Sequence, residues 1–224
     1  MYGPTHNNKD VSEMVSQFIY RSSDKLSDGF EVPIKQIIQE ILLVPLDFFI
    51  SIIDKGNIEY CHPRHIPQYS DMYSAIGMEV NYLSKNGGNC SLEKIGSILP
   101  GQIADSVCAR VKYGENHSKL LEIFGLALVQ NGCVKLTEIG NQFSQLDSTQ
   151  RLEYVKRSIF RTPIIRNMII KSKYQTVSVK DELLLFLSDS TANRRLSNVY
   201  NLIKLLNDAD QPELAKRMNN IKRQ

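Results

Sequence analysis

The stretch DSTANRRLSNVYNLIKLL, residues 189–206, sets two adjacent arginines near the start of a helical pattern. Stepping about 100° per residue from an inward Leu196 puts Val199, Tyr200, Ile203 and Leu206 on the same face. Arg194, Ser197, Asn198, Asn201 and Lys204 then gather on the opposite face, with Arg195 at the flank. No carboxylate interrupts that outward stripe. A helix that needs only solubility normally mixes signs. Arginine and lysine hold phosphate, and arginine and asparagine also fork onto guanine and adenine edges. The stripe is therefore either a solvated polar face or a face for DNA, and the basic segment around it favours the second.

Catalytic chemistries are harder to seat. A metal-dependent nuclease of the common restriction type needs Asp/Glu-x-Lys to hold a divalent cation and orient a water. None of the 24 acidic residues has a lysine two places on. A Gly-rich phosphate loop and a Gly-x-Ser-x-Gly elbow are also missing. CHPRH is the one metal-like cluster. Cys61, His62 and His65 could supply three zinc ligands, but the fourth would have to come from far away. Loop histidines beside prolines are more often plain loop residues. The expectation is no catalytic residues, no bound metal and no cofactor.

The net charge of +3 hides an asymmetry. Residues 1–150 hold 12 Lys+Arg against 17 Asp+Glu, and residues 151–224 hold 15 against 7. A basic C-terminal third on an acidic remainder points to a polyanion on one side. The four cysteines are scattered and read as reduced thiols of a cytoplasmic protein. No window approaches a membrane span, and the first residues lack the apolar core of a signal peptide.

The elements that must position these residues follow from periodicity. Helices are predicted over 11–26, from Pro33 at a first-turn position to Pro45, and on to Gly56 after that proline. Ser27–Gly29 break the first. NIEYC reads as a short strand and residues 68–84 as a helix. The apolar run IIQEILLVPLDFFISII is either core or a partner-binding surface. An internal echo follows: Leu92, Ile95 and Gly96 precede Leu136, Ile139 and Gly140 by 44 residues. Each copy has a helix, an Asn-Gly turn and a short apolar strand. Asn-Gly between apolar runs is a strong hairpin signal, because both positions accept positive φ. Ser91 and Thr137 can cap the helices that follow. Helix, hairpin, helix, met twice, predicts a mainly α fold with short β wings, built from tandem winged-helix (helix-turn-helix) units. Pro163 restarts a helix, and Asp189, Ser190 or Thr191 caps the final strong one. The expected division is an N-terminal arm and helix over 1–30, a helical region with a first winged helix over 31–100, a winged helix over 101–147, and a basic winged-helix-like unit over 148–224.

TANRRLSNVYNLIKLL resembles a T-x-x-R-R-x-x-T-V-x-x-W-[IL]-x-W-[IL] helix that recurs in winged-helix modules of FokI-like type II restriction endonucleases and related restriction-associated proteins. Thr191, Arg194, Arg195, Val199 and Ile203 match; Asn198 stands for the threonine, and Asn201 and Leu205 stand near the tryptophans. Residues 119–169 are similar to the other half of that pattern, with a helix, a wing, an L-T-x-x-G helix and then Pro163. RHIPQYSDMYSAIGMEVNYL resembles the start of another such unit through Arg64, Gln68, Tyr69, Tyr73 and Ala75. The resemblance covers roughly residues 60–206. The nuclease domain those enzymes append is missing, and the segment after Leu206 looks helical rather than like a wing.

The resemblance implies a non-catalytic, sequence-specific protein for double-stranded DNA, a recognition or accessory component of a restriction or anti-phage system. Helices carrying Asn116, His117 and Lys119, and Arg194, Arg195, Asn198, Asn201 and Lys204, would approach major grooves. Arg157, Arg161, Lys171 and Lys173 would hold phosphates, with Arg64 and Gln68 in the first unit. Candidate protein partners are a nuclease or methyltransferase subunit, or a second copy in a homodimer. The alternative is a protein-interaction scaffold that kept the fold without DNA binding.

Overall fold

Prolines, caps and glycines punctuate the helices, and the computed structural model describes residues 8–26, 34–68, 72–101 and 105–224. Helix α1 spans Asn8–Tyr20, shorter at its C-terminal end than the periodicity predicts. Pro45 ends α2 (Ile34–Leu43) and opens α3 (Leu46–Ile53), and the two meet at 91°. Pro33, the Ser27–Gly29 break and Tyr69 lie outside the described residues.

NIEYC is not a strand. It leads into a single 3-10 turn, Pro63–His65, opened by the His62 ring, whose Nδ1 accepts the Arg64 amide at 3.2 Å. Helix α4 (Met72–Lys85) ends at Gly87 and Gly88, both with φ 76°, and Gly88 donates back to the Leu83 carbonyl at 2.7 Å. That is a left-handed helix stop rather than the tip of a hairpin.

The two Asn-Gly segments therefore differ. After the first, strand β1 (Asn89–Ser91) runs straight into α5 (Leu92–Ile98), capped by Ser91. With no second strand following, β1 has no local partner. After α6 (Val107–Ile123), strands β2 (Ala127–Gln130) and β3 (Cys133–Leu136) form the predicted hairpin, with Asn131 at φ 51° and Gly132 at φ 74°. β1 pairs antiparallel with β3, placing Asn89 opposite Lys135 and Ser91 opposite Cys133. The sheet order is β1-β3-β2, so the boundary expected at 100/101 falls inside one sheet-forming unit.

The repeated L-x-x-I-G has a packing cause. A Cβ on Gly96 would stand 2.0 Å from the Arg110 carbonyl oxygen of α6, and one on Gly140 would stand 1.9 Å from the Leu126 carbonyl oxygen. Both glycines let a helix lie against neighbouring backbone. Thr137 caps α7 (Glu138–Ser144) as predicted, and Asp147 with Gln150 forms a capping box on α8 (Ser148–Ile159).

Pro163 sits in the first turn of α9 (Pro163–Ser172). Strand β4 (Val177–Ser178), α10 (Val179–Leu184) and α11 (Asp189–Leu205) follow, and Ser188, rather than the residues expected, takes the N-cap position of α11. The order α9-β4-α10-α11 repeats α4-β1-α5-α6: in both, a serine caps a short helix ahead of a 17-residue one. The tail is α12 (Pro212–Asn220) and β5 (Ile221–Lys222), the latter parallel to β4.

One core joins the segments. Phe49 stacks on Phe160 at 5.3 Å, and Tyr154 meets Phe18 at 5.8 Å and Phe143 at 5.4 Å, edge-on. The apolar run of α2 and α3 lies in this core, with Ile37, Ile38, Ile41, Leu46, Phe49, Ile50 and Ile53 buried. Among the described residues no single helix is long and apolar enough to cross a membrane.

Candidate nucleic-acid interface

The arginines of the C-terminal third divide into two groups. The larger group is internal. Arg157 is buried, and its Nη2 donates to the Leu42 and Val44 carbonyls at 2.8 Å while Nη1 meets Glu153 at 2.7 Å. Arg161 is buried too: Nε donates to the Ile123 carbonyl at 2.6 Å, Nη2 to the Arg21 carbonyl at 2.9 Å, and Nη1 to the Phe18 carbonyl. Burial lowers its pKa to about 10, with no carboxylate contributing. Arg166 forks onto both Glu59 oxygens at 2.6 Å and also donates to the Phe160 carbonyl at 3.0 Å. Arg217 pairs with Asp54 at 2.6 Å and donates to the Ile169 carbonyl at 3.1 Å.

These acceptors share a location: the C-terminal ends of α1, α2, α6, α8 and α9. The last carbonyls of a helix lack intrahelical donors and carry the negative end of its dipole. A guanidinium presents five N–H groups in a fixed fork, so one arginine can satisfy two such ends. Arg157 and Arg161, expected on phosphates, are corrected on this ground to internal fasteners. Lys171 is held by Glu182 at 2.6 Å and Lys173 by Asp54 at 3.5 Å, so each already has an anion. Arg195 also turns inward. Its Nη1 donates to the carbonyls of Pro63 and Ile66 in the loop around the 3-10 turn. Asn198 is 8% exposed and belongs to the inner flank of α11.

The smaller group faces out on α11. Arg194 and Lys204 are exposed, and Asn201 is half-buried between them. The Arg194 guanidinium touches only the Thr191 hydroxyl, at 3.3 Å, among the described residues. Lys204 lies 5.0 Å from the Tyr200 ring centroid. Arg223 joins the stripe, its Nη2 donating to Ser197 Oγ at 2.9 Å. The sequence alone gives no signal for Arg223, which reaches α11 only because β5 pairs with β4. No acid occurs from Ser190 to Asn207.

The corresponding face of α6 is not open. Arg64, Ile66, Pro67 and Gln68 of the loop pack against Asn116, Lys119 and Leu120, leaving a gap of about 10 Å³. The Asn116 side-chain oxygen is buried there without a hydrogen-bond partner among the described residues. Lys119 is paired with Glu115 at 2.6 Å. His117 faces the core, against the Tyr113 ring at 4.6 Å, and burial pushes its pKa down to about 3. It is corrected from a groove residue to a neutral core histidine.

The three candidate zinc ligands do not converge. Cys61 is buried and its sulfur accepts from Asn167 Nδ2 at 3.4 Å; burial raises its thiol to about 12. His62 caps the 3-10 turn, and His65 Nε2 accepts from Arg64 Nε at 3.0 Å. Compared with family models, with curated proteins and with solved structures, the chain shows no match.

Proposed function

We propose that the chain is a non-catalytic protein for double-stranded DNA, built from winged-helix units, with α11 as its DNA-facing helix. The single observation that carries this reading is the pair of exposed cations, Arg194 and Lys204, on a long helix that follows a short capped one, with half-buried Asn201 between them and Arg223 of the tail alongside. The arrangement α4-β1-α5-α6-β2-β3, with sheet order β1-β3-β2, supports a winged-helix unit whose wing is the Asn131-Gly132 hairpin. The parallel order α9-β4-α10-α11 supports a second unit whose wing is replaced by α12 and β5. In such folds the second helix of the pair enters the major groove. Here α11 has the free cations for that, whereas α6 is capped by the 63–68 loop. The place in a restriction or other anti-phage system rests on the resemblance of residues 60–206 alone, as do sequence specificity and a nuclease or methyltransferase partner.

The test is retention of the full chain on random-sequence duplex DNA at low and moderate salt. Wild type should be retained at low salt and released as salt rises. The double variant Arg194→Glu, Lys204→Glu should lose retention with an unchanged melting temperature, since both side chains are exposed. Equal retention of the variant would refute the assignment to α11.

A second reading is favoured by one observation: most arginines of the basic third are consumed internally, so the surface is less basic than the composition implies. That is the interaction scaffold, and wild type would then not be retained at any salt concentration.

A further inference from the structure

A cleft of about 550 Å³ opens between the C-terminal end of α1, the loop before the 3-10 turn, the end of α6, strand β2 and the start of α9. Its size falls in the range of small-molecule sites, which run from about 300 to 1,000 Å³. It is distinct from the α11 stripe, and the inference does not depend on what α11 binds.

Guanidinium groups outnumber carboxylates on its walls by one. Arg21, Arg64, Arg161 and Arg166 line it, against the carboxylates of Asp24, Glu59 and Glu122. These differ in availability. Glu59 is neutralised by the two-point bond from Arg166, and one Glu122 oxygen accepts the Val129 amide at 3.3 Å. Arg161 is a buried cation answered only by carbonyls and the Ser23 hydroxyl, so the wall keeps a positive charge with no anion beside it. Arg21 and Arg64 have no carboxylate partner among the described residues. His65 adds a ring beside Arg64, its pKa lowered by burial and by the Arg64 charge.

The walls are also fixed before any ligand arrives. Arg161 ties the end of α1 to the end of α6, and Arg166 ties the 59–60 segment to α9. The cleft frame from which Arg21 and Arg64 project is thus held in place, which lowers the ordering cost of binding a tetrahedral dianion there. The rest of the lining is less polar. Ile123, Leu128 and Val129 form one wall, and Tyr60, 77% exposed, stands at the edge with its ring supported edge-on by Phe186 at 5.8 Å. Guanidinium groups and a flat apolar ring on the walls of one cleft, in this volume, match a phosphate joined to a heteroaromatic ring.

We propose that this cleft is a binding site for a small phosphate-bearing ligand of nucleoside monophosphate size, with Arg21 and Arg64 on the phosphate and Tyr60 against the ring.

Calorimetric titration of the full chain with adenosine monophosphate, adenosine and inorganic phosphate tests it. The monophosphate should bind, with adenosine weaker by at least about tenfold, the equivalent of about 1.4 kcal/mol. Inorganic phosphate should compete with it. Arg21→Ala, Arg64→Ala should weaken the monophosphate by a similar factor or more with an unchanged circular dichroism spectrum. Should that pair fail to fold, Arg64→Ala alone serves, because Arg64 is exposed. Equal binding of adenosine and its monophosphate would overturn the proposal. So would unchanged binding by the Arg64 variant, or no binding of the monophosphate at millimolar concentration. Displacement of the monophosphate by duplex DNA, with loss of DNA retention in the arginine variants, would also overturn it and make the cleft part of a polynucleotide track.

Discussion

Arg195 donates to the Ile66 carbonyl at 3.2 Å across 129 residues of sequence, and to the Pro63 carbonyl beside it. The loop so held is the one packed on the outer face of α6. Arg195 therefore ties α11 to the loop that covers that face. Arg195→Ala should leave the global melting temperature within a few degrees, because the side chain is only half-buried. Hydrogen exchange at the His65 and Ile66 amides, which close the 3-10 turn, should quicken by roughly tenfold, the equivalent of one lost hydrogen bond. Unchanged exchange there would mean the loop is held by its own packing.

Arg161 carries a heavier structural role. Replacing it by leucine strands the carbonyls of Phe18, Arg21 and Ile123 in the interior. Breaking such a buried network costs about 3–5 kcal/mol. Arg161→Leu should thus lower the denaturation midpoint sharply, and Arg161→Lys should recover little, because a point charge cannot fork onto three carbonyls. Recovery of full stability by lysine would refute the geometric argument.

Salt dependence separates a phosphate contact from a general loss of charge. Each phosphate contact adds roughly one unit to the slope of log affinity against log salt. Arg194→Ala should reduce that slope by about one unit on duplex DNA, whereas Lys173→Ala, already paired with Asp54, should leave it unchanged. Fluorescence anisotropy over a salt series reads both.

Stability should fall on the alkaline side through one buried acid. Glu79 is 1% exposed, with only the Ser118 hydroxyl donating to it among the described residues, and burial raises its pKa from an ordinary 4.5 to about 8. The fold favours its protonated form, so its contribution is full below pH 4.5 and is lost as pH rises through 8. His117 acts at the other end. Its pKa falls from 6.5 to about 3, so the fold favours the neutral ring, and stability drops as pH falls through that window. Glu79→Gln should flatten the loss between pH 5 and pH 8 in urea titrations and leave the acid limb intact. A variant with the wild-type slope would remove Glu79 as the cause.

Local chemistry was legible in the sequence where its cause is local. Asn131-Gly132 closes a hairpin because both positions need positive φ, and Ser91 and Thr137 cap because their hydroxyls reach the third amide on. The period of α11 placed Arg194 and Lys204 outward, but it also placed Asn198 there, and that side chain is buried. What the sequence concealed depends on distance. Asn86-Gly87 looks the same as Asn131-Gly132, but no strand follows β1 within reach. Arg161 looks like a surface cation, because its carbonyl partners are backbone groups 38 to 143 residues away and leave no side-chain signature, and the Leu42 and Val44 carbonyls that bury Arg157 are as distant. The charge asymmetry was real, but helix ends absorb much of it.

The pairing of β1 with β3 has a consequence for how the chain acquires its shape. Asn89 meets Lys135 only after α5, α6 and the Asn131-Gly132 hairpin have been made. A ribosome must therefore release the chain well past Leu136 before the third strand can dock. Until then β1 is a bare edge trailing α4, and docking of the third strand adds a loop closure to the folding of this unit. Shortening the connection between α5 and α6 should accelerate refolding more than it changes equilibrium stability.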